Sequence, residues 1–226
     1  MVNIQSEFMK TLFLKGTFIF ILSLLFVSAS ETGIFEGGTN VGDPKLKGSM
    51  SYNKATDTYT LTGAGENIWA TSDEFFFAWK KVTGDFSMST KLNFEGVNPA
   101  HRKIGIMIRE TLDGDSKYAD ISIHGDGLNS LQWRPEKGGS TVEIASAIIM
   151  PDHIILERRG NKIIMKTAVG QWPDKIDSAK NSDEFPAGTE MVIDLPETCY
   201  VGIFICSHVV DKLEKAYFSE VQIKQQ

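Results

Sequence analysis

Short apolar runs punctuate the chain, and within several of them residues of one kind recur at every second position. The clearest is Phe86–Phe94, where Phe86, Met88, Thr90, Leu92 and Phe94 alternate with Ser87, Ser89, Lys91 and Asn93. Period two predicts a half-buried antiparallel strand with one wet face. Runs rich in β-branched and aromatic residues predict further strands over 59–62, 74–80, 103–110, 118–124, 130–134, 154–159, 162–167, 200–207 and 216–224. Residues 61–85 read differently: a turn containing Gly63 and Gly65 leads to Ile68-Trp69, then Ser72-Asp73, then Phe75, Phe76, Phe77 and Trp79. Apolar residues at consecutive positions exclude an amphipathic surface helix and predict a strand covered on both faces.

Turn chemistry divides these runs. Asp113-Gly114-Asp115, Asp126-Gly127, Gly138-Gly139 and Gly160-Asn161 each fall between predicted strands, at the loop lengths that hairpins use. Residues 169–190 (VGQWPDKIDSAKNSDEFPAGTE) form the one long irregular segment, a surface loop by composition. With no heptads, repeats or linker, about ten to twelve short strands and no helical segment predict an all-β chain, a β-sandwich.

The N-terminus adds a compartment. Lys10 and Lys15 precede the apolar run 16–27 (GTFIFILSLLFV), and Val27-Ser28-Ala29 offers small residues for cleavage. Residues 1–29 therefore read as a signal peptide, leaving 30–226 as one domain of a secreted or periplasmic protein. A retained membrane anchor is the rival reading, but the run is shorter than the roughly 20 residues a span needs. No transmembrane segment is expected in the mature chain. The formal charge of −6 argues against a nucleic-acid partner, which needs clustered Lys and Arg. Cys199 and Cys206 bracket the strand-like CYVGIFIC. Extended chain of that length separates them by roughly 23 Å, too far for a disulfide, so both are expected to be reduced.

Several segments, in order, carry a resemblance. GAGENIWATSDEFFFAW, VTGDFSMSTKLNF, KIGIMIRETLDGDSKYADISIHGDG, LQWRP, LERRGNKI and TCYVGIFICSH resemble the concanavalin A-like lectin/glucanase superfamily. Within it, they are similar to the exported, poorly characterised domains often found attached to carbohydrate-active enzymes or to periplasmic β-propellers. The resemblance runs from about Gly42 to Gln226 and implies a jelly-roll β-sandwich of two antiparallel sheets. It leaves activity open, since lectins, glycosidases and structural modules share the fold. Relatives commonly carry Asp-Gly-x-x-Trp after the LERRGN hairpin, where this chain has Val169-Gly170-Gln171-Trp172-Pro173.

No catalytic constellation is legible. Glycoside hydrolysis needs two facing carboxylates, and the Glu-x-Asp-x-x-Glu spacing of the resembled glucanases is absent. Glu110 and Glu157 stand beside Arg109 and Arg158, which suggests ion pairs. There is no Gly-x-Ser-x-Gly elbow, and Ser207-His208 is suggestive only as a dipeptide. His101, His124, His153 and His208 lack metal-ligand spacing. Asp113-x-Asp115 begins like a calcium loop but has His124 where the terminal Glu would stand. No cofactor is expected, although the fold admits a structural calcium ion held by loop carbonyls and acids.

Binding is the stronger candidate. If 103–110, 118–124 and 130–134 are antiparallel neighbours, Arg109, His124, Gln132 and Arg134 share a face with Asp120 and Ser122, opposite the isoleucines. Such a face suits sugar hydroxyls or carboxylates; equally, Arg109 and Arg134 pair with Asp120, Glu110 or Glu157 across strands without any ligand. Trp79 and Trp133 have core parity, whereas Trp69 and Trp172 are candidates for exposed sugar-stacking platforms. The expected ligand-binding set is Trp69, Arg109, His124, Gln132 and Arg134, with no catalytic or metal-ligating residue. The chain reads as a non-catalytic domain that binds carbohydrate or another cell-envelope component. The alternatives are a glycoside hydrolase-like enzyme with carboxylates from separate strands, and a structural or protein-interaction module. Neither partner nor oligomeric state is written in the sequence. N-terminal sequencing of exported protein is expected to find a mature start just after Ala29; a membrane-bound chain that retains its first residues would refute the signal-peptide reading.

Overall fold

The alternation read from the sequence builds two sheets in a computed structural model that describes residues 32–97, 99–169 and 188–226. Residues 1–29, expected to be a signal peptide, together with Trp172 and most of the 169–190 loop, lie outside the described residues. The strands are β1 (Gly37–Val41), β2 (Ser49–Asn53), β3 (Thr58–Gly65), β4 (Ile68–Trp69), β5 (Ser72–Asp73), β6 (Phe75–Thr83), β7 (Phe86–Phe94) and β8 (Lys103–Arg109). They continue with β9 (Tyr118–His124), β10 (Asn129–Arg134), β11 (Val142–Ala145), β12 (His153–Arg159), β13 (Lys162–Ala168), β14 (Gly188–Val192), β15 (Thr198–Cys206) and β16 (Val209–Gln225). No α-helix occurs among the described residues, and so none long and apolar enough to cross a membrane.

Two seven-stranded antiparallel sheets pack face to face as a β-sandwich of jelly-roll type. The first runs β1-β6-β15-β8-β9-β10-β11 and the second β14-β13-β12-β7-β16-β3-β2. Between them lie Ile104, Ile106 and Ile108 of β8, Ala119, Ile121 and Ile123 of β9, and Leu131 of β10, with Phe86, Met88, Leu156 and Phe218 in the same core cluster. Full burial of such side chains contributes roughly 1.5–3 kcal/mol each. β4 and β5 pair only with each other.

A second apolar cluster, on the other face of the first sheet, is what positions the site. It contains Val41, Ile68, Phe75, Phe77, Met107, Tyr118, Phe204 and Cys206. Phe76 belongs to the inter-sheet core while Phe75 and Phe77 belong to this second cluster, so the aromatic run of β6 is covered on both faces as its sequence implies. Trp79, expected in the core, is half-buried against this cluster, its ring edge-on to Tyr200 at 5.0 Å. Trp133 likewise only flanks the inter-sheet core.

The cover over that cluster is residues 66–74, which include the β4–β5 hairpin. Gly65 is what admits it. Its φ of +127° is a conformation that side chains disfavour, and a Cβ there would lie 1.9 Å from the Glu74 carbonyl oxygen. The end of β3 can therefore run against the start of β6 only with glycine at this position.

The structure corrects two local expectations. β7 has no wet face at its start: Ser87 and Ser89 are buried, because β12 and β16 flank it with longer side chains, Glu157 and Lys224 beside Ser87 and Gln222 beside Ser89. Glu110 and Glu157 do not pair with the adjacent Arg109 and Arg158. Glu110 faces Lys117 at 3.8 Å, and Glu157 takes Lys166 at 2.9 Å and Arg159 at 3.4 Å. Cys199 and Cys206 lie at opposite ends of β15, both free and buried. Burial pushes the Cys206 thiol up to about 12.

Candidate functional site

The outer face of the first sheet carries the polar residues that alternation placed there, but not as an open surface. Arg109, Asp120, Ser122 and Arg134 are fully buried, Gln132 is 1% exposed and His124 6%. Parity was therefore read correctly while coverage was not: residues 66–74 lie over this face.

Arg134 ties the cover down. Its Nη1 and Nη2 donate to Asp73 Oδ2 and Oδ1 at 2.8 and 2.7 Å, a bidentate fork. The remaining N–H groups donate to the carbonyls of Trp69, Ala70, Gly114, Ser116 and Gly139, and the guanidinium lies over the Tyr118 ring at 4.9 Å. Arg109 approaches the same carboxylate at 3.5 Å and stacks over Phe75 at 5.1 Å. Burial pushes the Asp73 carboxyl above its usual value, and the two guanidiniums oppose that shift. Ala70 at the hairpin tip adopts a φ of 48°, a strained state for a side chain, and its carbonyl also accepts from Thr141 N at 2.9 Å. Arg109 and Arg134 are thus inside the protein, holding a hairpin; the exposed hydrogen-bonding fork expected of them does not exist. Their acid is Asp73, not Asp120, Glu110 or Glu157.

What the hairpin presents is Trp69, 36% exposed. Beside it opens a cleft of about 180 Å³ lined by Asn67, Trp69, Lys103, His124, Gln132 and Glu143, with His101, Leu128 and His208 at its margin. On the other side of the hairpin a second hollow of about 360 Å³ shares Asn67, Trp69 and His208. Of the five expected site residues, the structure brings Trp69, His124 and Gln132 together. It adds Lys103 and Glu143, which sequence reasoning missed. β11 is four residues in a turn-rich stretch, and Lys103 looks like the solvated start of a strand. His101 and His208 come from loops at one end of the sheet, their ring centroids 5.4 Å apart. His208 also holds a strained φ of 59°.

Gln132 organises the cleft floor. Its Oε1 accepts from Lys103 Nζ at 3.4 Å while its Nε2 donates to Glu143 Oε1 at 2.9 Å. Lys103 Nζ also donates to the Ile68 carbonyl at 2.8 Å and lies 5.4 Å from the Trp69 ring centroid. Burial depresses the Lys103 ammonium, against the pull of Asp120. Burial also lowers His124 to about 4, with Lys103 acting in the same direction, so its imidazole is neutral near pH 7. Asp120 lies beneath the cleft, opposite Gln132 in register. Burial raises it to about 8 although Ser122 Oγ donates to Oδ1 at 2.9 Å, and Oδ2 has no partner among the described residues.

No metal-binding group of three or more His, Cys, Asp or Glu residues occurs among the described residues. The two acids of the calcium-like turn, Asp113 and Asp115, both accept from the Lys137 ammonium.

No protein-family profile matches the chain, and no curated protein matches it. In structure it is similar to a functionally unknown protein from Saccharomyces cerevisiae, with a TM-score of 0.58 and 16% identity over 84% of this chain and 96% of that one. Weaker likenesses are a carbohydrate-binding module from Bacillus subtilis (TM-score 0.48, 14% identity, 85% of this chain and 98% of that one) and the Bacillus licheniformis β-glucanase (0.47, 9%, 84% and 92%). At such identities the likeness describes the fold and leaves the ligand open.

Two measurements check the site. Arg134→Ala strands Asp73 and several carbonyls, so it is expected to cost about 3–5 kcal/mol in urea unfolding. Arg134→Lys should restore little of this, because an ammonium lacks the fork; a loss below about 1 kcal/mol would place Arg134 at the surface. Asp120 is the pH-sensitive group. Its folded pKa lies above the unfolded one, so the native state keeps a proton that the unfolded chain releases between about pH 4 and 8, and stability falls as pH rises through that window. Asp120→Asn removes this loss. Its unfolding free energy relative to the native chain is expected to improve by more than about 1 kcal/mol between about pH 5 and 9, and a pH-independent difference would show an ordinary carboxyl.

Proposed function

We propose that the chain is an exported, non-catalytic domain that binds carbohydrate in the cleft beside Trp69. The observation that carries this reading is the pairing of a partly exposed indole with a row of fixed polar groups. Trp69 stands on a hairpin pinned by Arg134, and Lys103, Gln132, His124 and Glu143 line the same cleft. A sugar offers an apolar ring face for the indole and a periphery of hydroxyls for amide, carboxylate and imidazole groups. Because the partners are held by buried hydrogen bonds, little ordering remains to oppose binding. The non-catalytic reading is supported by the lining of this cleft, in which Glu143 is the one carboxylate among the described residues; glycoside hydrolysis requires two.

A second reading, a glycan-active enzyme, is favoured by Asp120 alone. A buried carboxyl held protonated near neutral pH beneath a cleft is a signature of general acids. Asp120 is fully buried and does not line the cleft, which puts this reading second.

A glycan array followed by titration tests both. Trp69→Ala is expected to weaken the captured glycan by about tenfold or more, in line with the weight of central tryptophans in binding sites, and to leave the thermal midpoint nearly unchanged because the residue is partly exposed. No captured glycan, or an affinity indifferent to Trp69, would refute the binding reading. New reducing ends that disappear in Asp120→Asn would establish the enzyme instead.

A further inference from the structure

The charge inside the cleft points to one class of ligand. Lys103 is 3% exposed, yet no carboxylate lies within ion-pair distance of its Nζ among the described residues. Its fixed partners, the Ile68 carbonyl and the Gln132 amide oxygen, are neutral. A buried ammonium is normally matched by an opposite charge. Burial raises Asp120, the acid that pulls most on Lys103, to about 8, and Lys103 opposes that shift.

A second group beside it has a ring nitrogen without a partner among the described residues. Gln132 is oriented by an ammonium on one side, which requires its oxygen, and by Glu143 on the other, which requires its NH₂. Its Nε2 also lies 3.4 Å from His124 Nε2. The two N–H groups of that amide have nearer acceptors in Glu143 Oε1 at 2.9 Å and Ser130 Oγ at 3.2 Å, so this longer contact does not set the His124 tautomer. The His124 Nδ1 has no partner among the described residues, on a side chain only 6% exposed. Lys103 and His124 are directly opposed in the β8–β9 register, on the same face. Lys103, an ammonium with no carboxylate within ion-pair distance among the described residues, thus stands beside His124 in the lining of the cleft, 5.4 Å from the Trp69 ring centroid. Glu143, the carboxylate of the same cleft, is held by the Gln132 amide.

We propose that the cleft selects acidic glycans, the carboxylate of a uronic-acid residue being received by the Lys103 ammonium while its ring lies against Trp69. This rests on the carbohydrate reading above and narrows it to one chemical class. Lys103 becomes the specificity residue; Arg109 and Arg134, the arginines an acidic ligand would first suggest, are committed to Asp73 and the hairpin.

The test is calorimetric titration of the full chain with oligogalacturonate and oligoglucuronate, and with the same oligosaccharides after reduction of every carboxyl to the alcohol. The acidic forms are expected to bind at least about tenfold more tightly than the reduced ones, as a charged hydrogen bond in a site implies. Their affinity should fall with added salt while that of the reduced forms does not. Lys103→Met and Lys103→Gln should each level the difference, with folding checked by thermal midpoint. If neither variant folds, the salt dependence of the native chain decides, and its absence overturns the proposal. Equal binding of acidic and reduced forms, or discrimination that survives loss of Lys103, overturns it too and leaves the Trp69 carbohydrate site standing. Binding of neutral array glycans but of neither probe has the same meaning. No binding to any oligosaccharide overturns both readings.

Discussion

One buried guanidinium determines the shape of the functional face. Arg134 sits on β10 with its charge matched by Asp73 and its remaining donors directed at the backbone of the segment that crosses over it. A two-residue pair of strands such as β4–β5 has almost no ladder of its own to hold it, and short isolated hairpins are marginal in water. Its place is set from below, by carbonyls that need a donor and a donor that needs carbonyls. Ile68 adds an apolar anchor in the second cluster, and Gly65 supplies the backbone freedom to enter the crossing. Remove the guanidinium and the same residues become a loop over an exposed polar sheet.

This explains which parts of the fold and the site were legible in the sequence. Alternation announces β7, and runs rich in β-branched and aromatic residues announce β8, β9, β12, β13 and β15 to within two residues at each end. Alternation also told which side chains of β8, β9 and β10 point away from the isoleucine core. It could not tell what covers them, because coverage comes from a segment with no period of its own. Asp73 is 61 residues from Arg134, and the nearer acids, Asp120, Glu110 and Glu157, were the natural partners to consider. The one visible signal was the odd sequence of residues 61–85 itself, a glycine-rich entry and a paired Ile-Trp and Ser-Asp ahead of a run of phenylalanines. β1, β2, β11 and β14 were missed because each is short and lies at or next to a sheet edge, where one neighbour suffices and apolar alternation fades.

The cleft inherits its chemistry from the same burial. Closing the polar face strips water from Asp120, His124 and Lys103 together, and each responds by favouring its uncharged form. Gln132 then acts as a fixed bridge, tying Lys103 on one side to Glu143 on the other. Trp69 is the part of the hairpin left partly in solvent, so the feature that closes the sheet also supplies its one aromatic platform. Stability and recognition are in this way two consequences of one packed segment.

Amide hydrogen exchange in the native chain tests that linkage most directly. The Asp73 amide donates to Gly114, the Glu74 amide to Asn67 and the Thr141 amide to Ala70, all within the pinned segment or its clasp. If Arg134 makes the hairpin one body with the sheet, these amides exchange as slowly as those of β9 and β10 and open only with them. Fast exchange at Asp73, Glu74 and Thr141 alongside a slow β9 and β10 would show a hairpin that opens by itself, and would contradict the central role given to Arg134.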